Sequence, residues 1–323
     1  MNKLRTIGLS ALAGSLAAFS AQAFEASVSG GAEITMSHLG GGDVTGNPLG
    51  ARKNINFSGS GELDNGWGIS VFHNMGDTNA FGSSVYSFDL GSVGTISLDS
   101  GSGGHGAASI DNVMPTAYEE ADYGLATASP DIGGTADGEY IGYSTSVAGA
   151  TIVAAYNPDR GGGTAGDGGT GGAAGSGAAW DIGVKLSPMD GMLLVAGWGQ
   201  LDNGTGGTSN VDEDTVGITY AMGPITVGAQ LSHNDVNGGT ENTTTALGVT
   251  FNVSDNLSIG YQRLSDEYNR SGPNDTDTTF NGLSAAYSMG NIAIKFVAND
   301  VTNHGGVAGS SDEVKELSLS FAF

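Results

Sequence analysis

The sequence predicts an all-β chain: a 16-stranded antiparallel transmembrane β-barrel, with short turns at one end and long loops at the other. Three observations predict it. Apolar residues alternate with small or polar ones at period two along most of the chain. The connections between these segments are long and short in turn. No stretch approaches the roughly 18 consecutive apolar residues that a membrane helix needs.

The chain starts with a segment of another kind. Residues 1–23 carry Lys3 and Arg5, an uncharged run from Ile7 to Phe19, and Ala21-Gln22-Ala23 before Phe24. This is the pattern of a cleaved secretory signal peptide. Its apolar run, about 13 residues, is too short to span a bilayer. Residues 24–323 are then read as one barrel domain.

Strands come next. Leu317, Leu319, Phe321 and Phe323 share one face, with Glu316, Ser318, Ser320 and Ala322 on the other. Leu247, Val249, Phe251 and Val253 alternate with Ala246, Gly248, Thr250 and Asn252. Ile225, Val227, Ala229 and Leu231 alternate with Thr226, Gly228, Gln230 and Ser232. Trp180, Ile182, Val184 and Leu186 oppose Asp181, Gly183, Lys185 and Ser187, and Ile292, Ile294 and Phe296 oppose Ala293, Lys295 and Val297. A soluble sandwich gives the same alternation, so the loops must decide.

Short connections fall at 64–66, 91–92, 148–149, 188–191, 223–224, 254–256 and 290–291. Long polar ones fall at 40–50, 76–83, 100–138, 158–178, 202–212, 234–241, 265–277 and 300–312. Strict alternation puts every long loop at one end of an up-and-down meander. A barrel sorts its loops in this way and a Greek-key sandwich does not. The length allots about 19 residues to each strand with its connection, which suits spans of about ten. Mean hydropathy is only −0.07, as it must be when alternate residues face lipid. Trp67, Tyr143, Tyr156, Trp198, Tyr220, Tyr261 and Tyr287 lie on the apolar face near strand ends, where interfacial rings belong.

Composition narrows the function. Asp and Glu number 34 against 10 Lys and Arg, a formal net charge of −24. Such a surface repels phosphate, so nucleic acid is not an expected partner. Cysteine is absent, which removes disulfides, thiolate metal sites and cysteine nucleophiles. The histidines (His38, His73, His105, His233, His304) show no i, i+4 pair, and no serine stands in a G-x-S-x-G elbow. No enzyme activity and no cofactor are expected.

The A-x-A signal, the turn Glu62-Leu63-Asp64-Asn65-Gly66-Trp67-Gly68, the segment Phe88-Asp89-Leu90-Gly91-Ser92-Val93-Gly94-Thr95-Ile96, the long third loop and the alternating last strand ending in Phe323 occur in one order. In that order they resemble the Gram-negative general porins, most closely the alphaproteobacterial (Rhodobacter-type) ones, over the whole chain. The resemblance implies a homotrimer in the outer membrane of a Gram-negative bacterium, with short periplasmic turns and long extracellular loops, that passes small hydrophilic solutes and ions by general diffusion. It implies that the third loop folds into the pore, and that Phe321 and Phe323 are the signal read by the barrel-assembly machinery.

The site expectations follow. The loop from about 101 to 138 carries Asp111, Glu119, Glu120, Asp122, Asp131 and Asp137 and no Lys or Arg. It also holds Ile110, Val113, Met114, Tyr118, Tyr123 and Leu125, apolar content that a loop packed on the barrel wall would need. Asp111, Glu119, Glu120 and Asp122 are read as a pore constriction that favours cations. By parity Glu33, Arg52 and Lys295 point inward as pore wall, with Arg52 and Lys295 facing the acidic loop across the pore and Lys185 a plain lumenal or rim charge.

Some signals carry less. Gly161–Gly169 is Gly/Asp-rich like calcium-binding repeats, but has no period. Asp212-Glu213-Asp214 and Asn274-Asp275-Thr276-Asp277 read as solvated loop charge, with weaker readings as Ca²⁺ sites or divalent bridges to lipopolysaccharide. The alternative function is a secreted Gly/Asp-rich adhesin or calcium-binding β protein, which predicts a tandem period that the chain lacks.

Overall fold

The computed structural model describes residues 25–41, 43–77, 81–130, 132–136, 138–160, 175, 177–202, 210–236, 240–270 and 274–323. The expected signal peptide, the whole 161–169 stretch, Asp131 and Asp137 lie outside the described residues.

Sixteen strands form one closed antiparallel barrel: β1 (Glu25–Gly41), β2 (Leu49–Glu62), β3 (Gly68–Met75), β4 (Phe81–Asp89), β5 (Thr95–Ser100), β6 (Glu139–Val147), β7 (Ala150–Asn157), β8 (Ala179–Leu186), β9 (Met192–Leu201), β10 (Val211–Met222), β11 (Ile225–Val236), β12 (Thr240–Ser254), β13 (Leu257–Arg270), β14 (Thr278–Met289), β15 (Ile292–Thr302) and β16 (Ser311–Ala322). Each strand pairs with its sequence neighbours, and β1 closes on β16 from Gly31↔Ala322 to Gly41↔Asp312. Closure leaves no unpaired edge strand, so the backbone of the wall bonds within the sheet, as a hydrocarbon surrounding demands. Among the described residues no helix is long and apolar enough to cross a membrane.

Turn chemistry sets the tight end. Ala148 and Gly149, between β6 and β7, both take positive φ (52° and 84°). That is the two-residue hairpin whose twist matches the flanking strands. Around the turn after β2, Leu63 N–H donates to Trp67 O at 2.7 Å.

The expected outward face holds: Val28, Ile34, Phe57, Tyr86, Trp198, Leu231, Leu283 and Leu317 are all exposed. In water such a belt would drive aggregation; in lipid it is the matched surface. The core lies inside the barrel, where the loop between β5 and β6 (residues 101–138, L3) packs on the wall. Met114 and Ala121 of L3 join Ala246, Leu264, Phe280 and Val301 of β12–β15 in one buried cluster. Phe280 and Leu264 are essentially fully buried there, and each contributes about 1.5–3 kcal/mol by leaving water.

Four expectations need correction. The strict length alternation breaks, because β11 runs to Val236 and β12 resumes at Thr240, leaving only residues 237–239 where a loop over 234–241 was expected. β13 likewise continues to Arg270 through Ser265–Asn269, expected as loop. Polar composition marked these stretches as loop, but paired backbone extends beyond the apolar belt and tolerates polar side chains on both faces. For the same reason Asp212-Glu213-Asp214 is strand β10, with Glu213 buried. The inward face is also less uniformly polar than expected: Leu264, Phe280, Val301 and Val314 point inward wherever L3 covers them.

Candidate functional site

L3 follows the inner wall from β6 round to β16. It begins where Asp99 on β5 accepts Ser102 N–H at 2.9 Å and lies 3.2 Å from His105 Nδ1. Asp181 on β8 then anchors both ends of the loop, with one carboxylate oxygen 2.7 Å from Ala107 N and the other 2.7 Å from Ala136 N. Between these ends the wall offers polar side chains to the loop backbone, strand after strand. Gln230 on β11 accepts from Val113 N and donates to Ile110 O and Asp111 O. Gln262 on β13, Ser284 on β14 and Asn299 on β15 bond the stretch from Met114 to Tyr123. Asp312 on β16 accepts Ala126 N–H at 2.8 Å, and Asp266 on β13 accepts the Ser129 hydroxyl at 2.8 Å. Buried loop amides need such partners, since each one left unpaired costs about 1–3 kcal/mol.

The tip of L3 meets a cluster of charge on β1, β2, β15 and β16. Glu33 on β1 and Arg52 on β2 are register partners, so both point inward. Arg52 Nη1 lies 3.8 Å from Glu119 Oε1, Nη2 donates to the Tyr123 hydroxyl, and the guanidinium stands 5.2 Å from the Tyr123 ring centroid. Lys295 Nζ is 2.9 Å from Glu33 Oε1 and 4.3 Å from the Tyr118 ring centroid. The Tyr118 hydroxyl points at Glu33 and Glu316, 3.1 Å from each, and the Tyr123 hydroxyl donates to Glu316 at 3.3 Å. Ser318 donates to Glu33 and Ser37 to Glu316. Arg52 and Lys295 therefore do not face the loop across an open gap, as the parity reading had them. They touch its tyrosines and are matched by Glu33, Glu119 and Glu316.

The other expected acids lie along the same loop. Glu120 is pushed up to about 7, by burial first and then by the neighbouring charges of Asp122 and Asp111. Burial also raises Asp111, against the N–H of Asn112. Burial raises Glu119, although Arg52 and Lys295 pull it down. Tyr118 is raised well above the ordinary phenol range by burial and by Glu33 and Glu316; Tyr123 is raised to about 12 by burial and Glu316. Both phenols are neutral donors at any working pH. Asp122 accepts Ser129 N–H at 2.9 Å, and Lys185, inward on β8, donates to Ser109 O at 2.9 Å.

The structure thus brings Glu33, Arg52, Lys295 and Glu119 together and sets Asp111, Glu120 and Asp122 apart from them as a second acidic group. Phe321 and Phe323 lie elsewhere, at the tight-turn end. Phe323 exchanges backbone hydrogen bonds with Gly30 at 2.9 and 3.0 Å, and its ring is exposed. Sequence reasoning missed Glu316 as a partner of the tip, although its parity with Ser318 already marked it as inward. It also missed Asp181, Gln230, Gln262 and Asn299, whose inward parity was visible but whose loop partners were not. Among the described residues no group of three or more His, Asp and Glu is placed to hold a metal ion. The wall of β1–β3 beside the tip is hydroxyl- and amide-rich: Asn54, Asn56 and Ser58 share the parity of Arg52, and Asn74 donates to Asn56 at 2.6 Å.

A family model described as Gram-negative porin matches residues 8–306. Among solved structures, an anion-selective porin from Comamonas acidovorans is similar with a TM-score of 0.70 at 16% identity, over 93% of this chain and 100% of that one. A porin refined at 1.8 Å gives 0.69 at 15%, over 93% and 100%. A multiple mutant of the Rh. blastica porin gives 0.62 at 15%, over 93% and 100%. No curated protein sequence matches the chain. At these identities the neighbours carry the fold and nothing finer.

Proposed function

Since the chain belongs to the Gram-negative porin family, we propose that it is a general-diffusion channel of the outer membrane, passive and without catalysis, that favours cations. One observation carries the sign of selectivity. L3 holds Asp111, Glu119, Glu120 and Asp122 against the inner wall, while Arg52 and Lys295, the bases beside its tip, are already matched by Glu33, Glu119 and Glu316. The acids along the loop outnumber the bases beside it, and such an excess of carboxylate lowers the cost of cation entry and raises that of anions. The first structural neighbour is an anion-selective porin by name, so the fold leaves the sign open and this chain's own charges must set it.

In this reading Asp111, Glu119, Glu120 and Asp122 form the constriction, and Glu33, Arg52 and Lys295 are the wall beside it. The solutes are small and hydrophilic, in keeping with the Asn/Ser wall of β1–β3. The channel works as a homotrimer, reaches the outer membrane after residues 1–23 are removed, and presents Phe321 and Phe323 to the barrel-assembly machinery. The exposed Phe323 ring at the sheet's last pairing suits that role. Lipid covers the apolar belt, and acidic groups at the long-loop end contact lipopolysaccharide through divalent ions. The belt also weighs against a secreted adhesin or calcium-binding protein, which would expose it to water. The test is purified protein in a planar bilayer under a salt gradient. Stepwise conductance with a cation-positive reversal potential is expected. A silent bilayer sinks the channel, and an anion-signed potential sinks the selectivity.

A further inference from the structure

We infer that one row of inward-facing residues, Gly228, Gly248, Gln262, Gly282 and Asn299 on β11–β15, fixes how close L3 lies to the wall and so sets the free cross-section of the channel; this rests on the channel reading above. Gly228 pairs with Gly248, Gly248 with Gln262, Gln262 with Gly282 and Gly282 with Asn299, so the row is continuous in register. Register partners point to the same face of a sheet. Gln262 and Asn299 both reach L3, so the whole row faces it.

The glycines make the room. A Cβ on Gly228 would stand 2.7 Å from Pro115 Cδ, one on Gly248 2.9 Å from the same atom, and one on Gly282 2.7 Å from Ala121 Cα. All three are closer than real Cβ contacts come, and the receiving atoms belong to a proline ring and a backbone, which cannot swing aside as a flexible side chain would. None of the three glycines has a φ in the left-handed range, so backbone conformation does not require glycine there. Glycine inside a strand costs about 0.5–1 kcal/mol relative to alanine, and here it occurs at three positions of one row. Space for the loop is the compensating gain.

The amides hold what the glycines admit. Gln262 accepts Ala121 N–H at 3.0 Å and donates to Met114 O at 3.1 Å. Asn299 donates to Glu120 O at 2.7 Å and Tyr123 O at 2.9 Å. Space and tether thus lie side by side along the row, and the stretch from Met114 to Tyr123, which carries Glu119 and Glu120, is drawn against the wall. Filling the row should move those carboxylates into the lumen and narrow it.

The experiment compares single-channel conductance of wild type, Gly248→Val and Gly282→Val, each checked for a heat-modifiable folded barrel. Each valine variant should conduct roughly twofold less than wild type with the same sign of selectivity, and Pro115→Ala added to Gly248→Val should restore the loss. Folded valine variants that conduct like wild type overturn the inference while the channel reading stands; a silent wild type overturns the channel reading itself. If the valine variants fail to fold, Gln262→Ala, which adds no volume, decides. Its open-channel noise should rise severalfold, and noise equal to wild type overturns the inference.

Discussion

Lys295 on β15 holds its Nζ 2.9 Å from Glu33 Oε1 on β1, reaching across β16, which lies between the two strands. The ammonium also sits over the Tyr118 ring of L3. One cation thus fastens the closing seam of the barrel to the tip of the loop, and its charge is answered by the wall. Replacing it by methionine, which keeps the stem, removes the ammonium beside Glu33 and leaves that carboxylate with the hydroxyls of Tyr118 and Ser318. Lys295→Met should therefore raise the cation-to-anion permeability ratio, by about twofold or more. A ratio that falls would mean that Lys295 is shielding nothing.

Neutralising the acids of L3 should act in the opposite direction. Glu119→Gln, Glu120→Gln and Asp122→Asn together remove the carboxylates that the loop holds near its tip and beyond. The reversal potential in a salt gradient should move toward zero. If it does not move, these residues do not meet the permeating ions.

The pH dependence has a definite sign. Glu120 is raised to about 7, so it is largely neutral below that pH and charged above it. Cation preference should rise as pH is taken from about 6 to 8, the window around that value. Glu119 and Asp111, raised in the same direction by burial, extend the rise on the acid side. Glu120→Gln should flatten the step near neutrality. Measured permeability ratios that are flat in wild type over this window would contradict the buried placement of Glu120.

Much of this arrangement is legible in the chain, and the reason for each gap is physical. Period-two parity places Glu33, Arg52, Lys295 and Asp181 inward, because a strand alternates its faces without exception between bulges. The same rule made Glu316 readable beside Ser318. Parity is silent about partners across the barrel: nothing local to Gln262 or Asn299 says that L3 passes over them. Glycines 228, 248 and 282 are three among 57, and only the register that aligns them marks them out. Strand ends misled because Ser265–Asn269 has loop composition, while pairing with β12 decides its conformation. One hint to the loop's path is Val297, an apolar residue with the inward parity of Lys295 and Asn299, which suits a wall covered from inside.

Asp181 anchors both ends of L3 through its two carboxylate oxygens. Each bond contributes about 1 kcal/mol net, and roughly twice that when the acceptor is ionised. Asp181→Ala loses both at once and leaves two buried N–H groups unpaired. The barrel has its own closed hydrogen-bonding and should persist, while the loop opens locally. Chymotrypsin should then cut after Tyr118 and Tyr123 much faster than in wild type. Equal cleavage rates would show that the remaining tethers hold the loop alone.

The placement of L3 itself can be tested without measuring current. The chain has no cysteine, so any disulfide formed by an introduced pair is the only one. A Cβ on Gly248 would lie 3.1 Å from Met114 Cβ, within a few tenths of an ångström of the roughly 3.5–4.5 Å that a disulfide spans. Met114→Cys with Gly248→Cys should therefore crosslink on mild oxidation, seen as a mobility change without reductant. A loop standing outside the barrel mouth would keep the two thiols far apart and no bond would form. Once formed, the tether adds a covalent hold beside that of Gln262 on Met114 O. The oxidised channel should keep the sign of its reversal potential, since the pair of substitutions changes no charge. Its open-channel noise should fall below that of the reduced form, because the strand-borne anchor then cannot let go. Efficient crosslinking with a reversed or abolished potential would separate the two ideas: the loop would be on the wall, but its acids would not be what the ions meet.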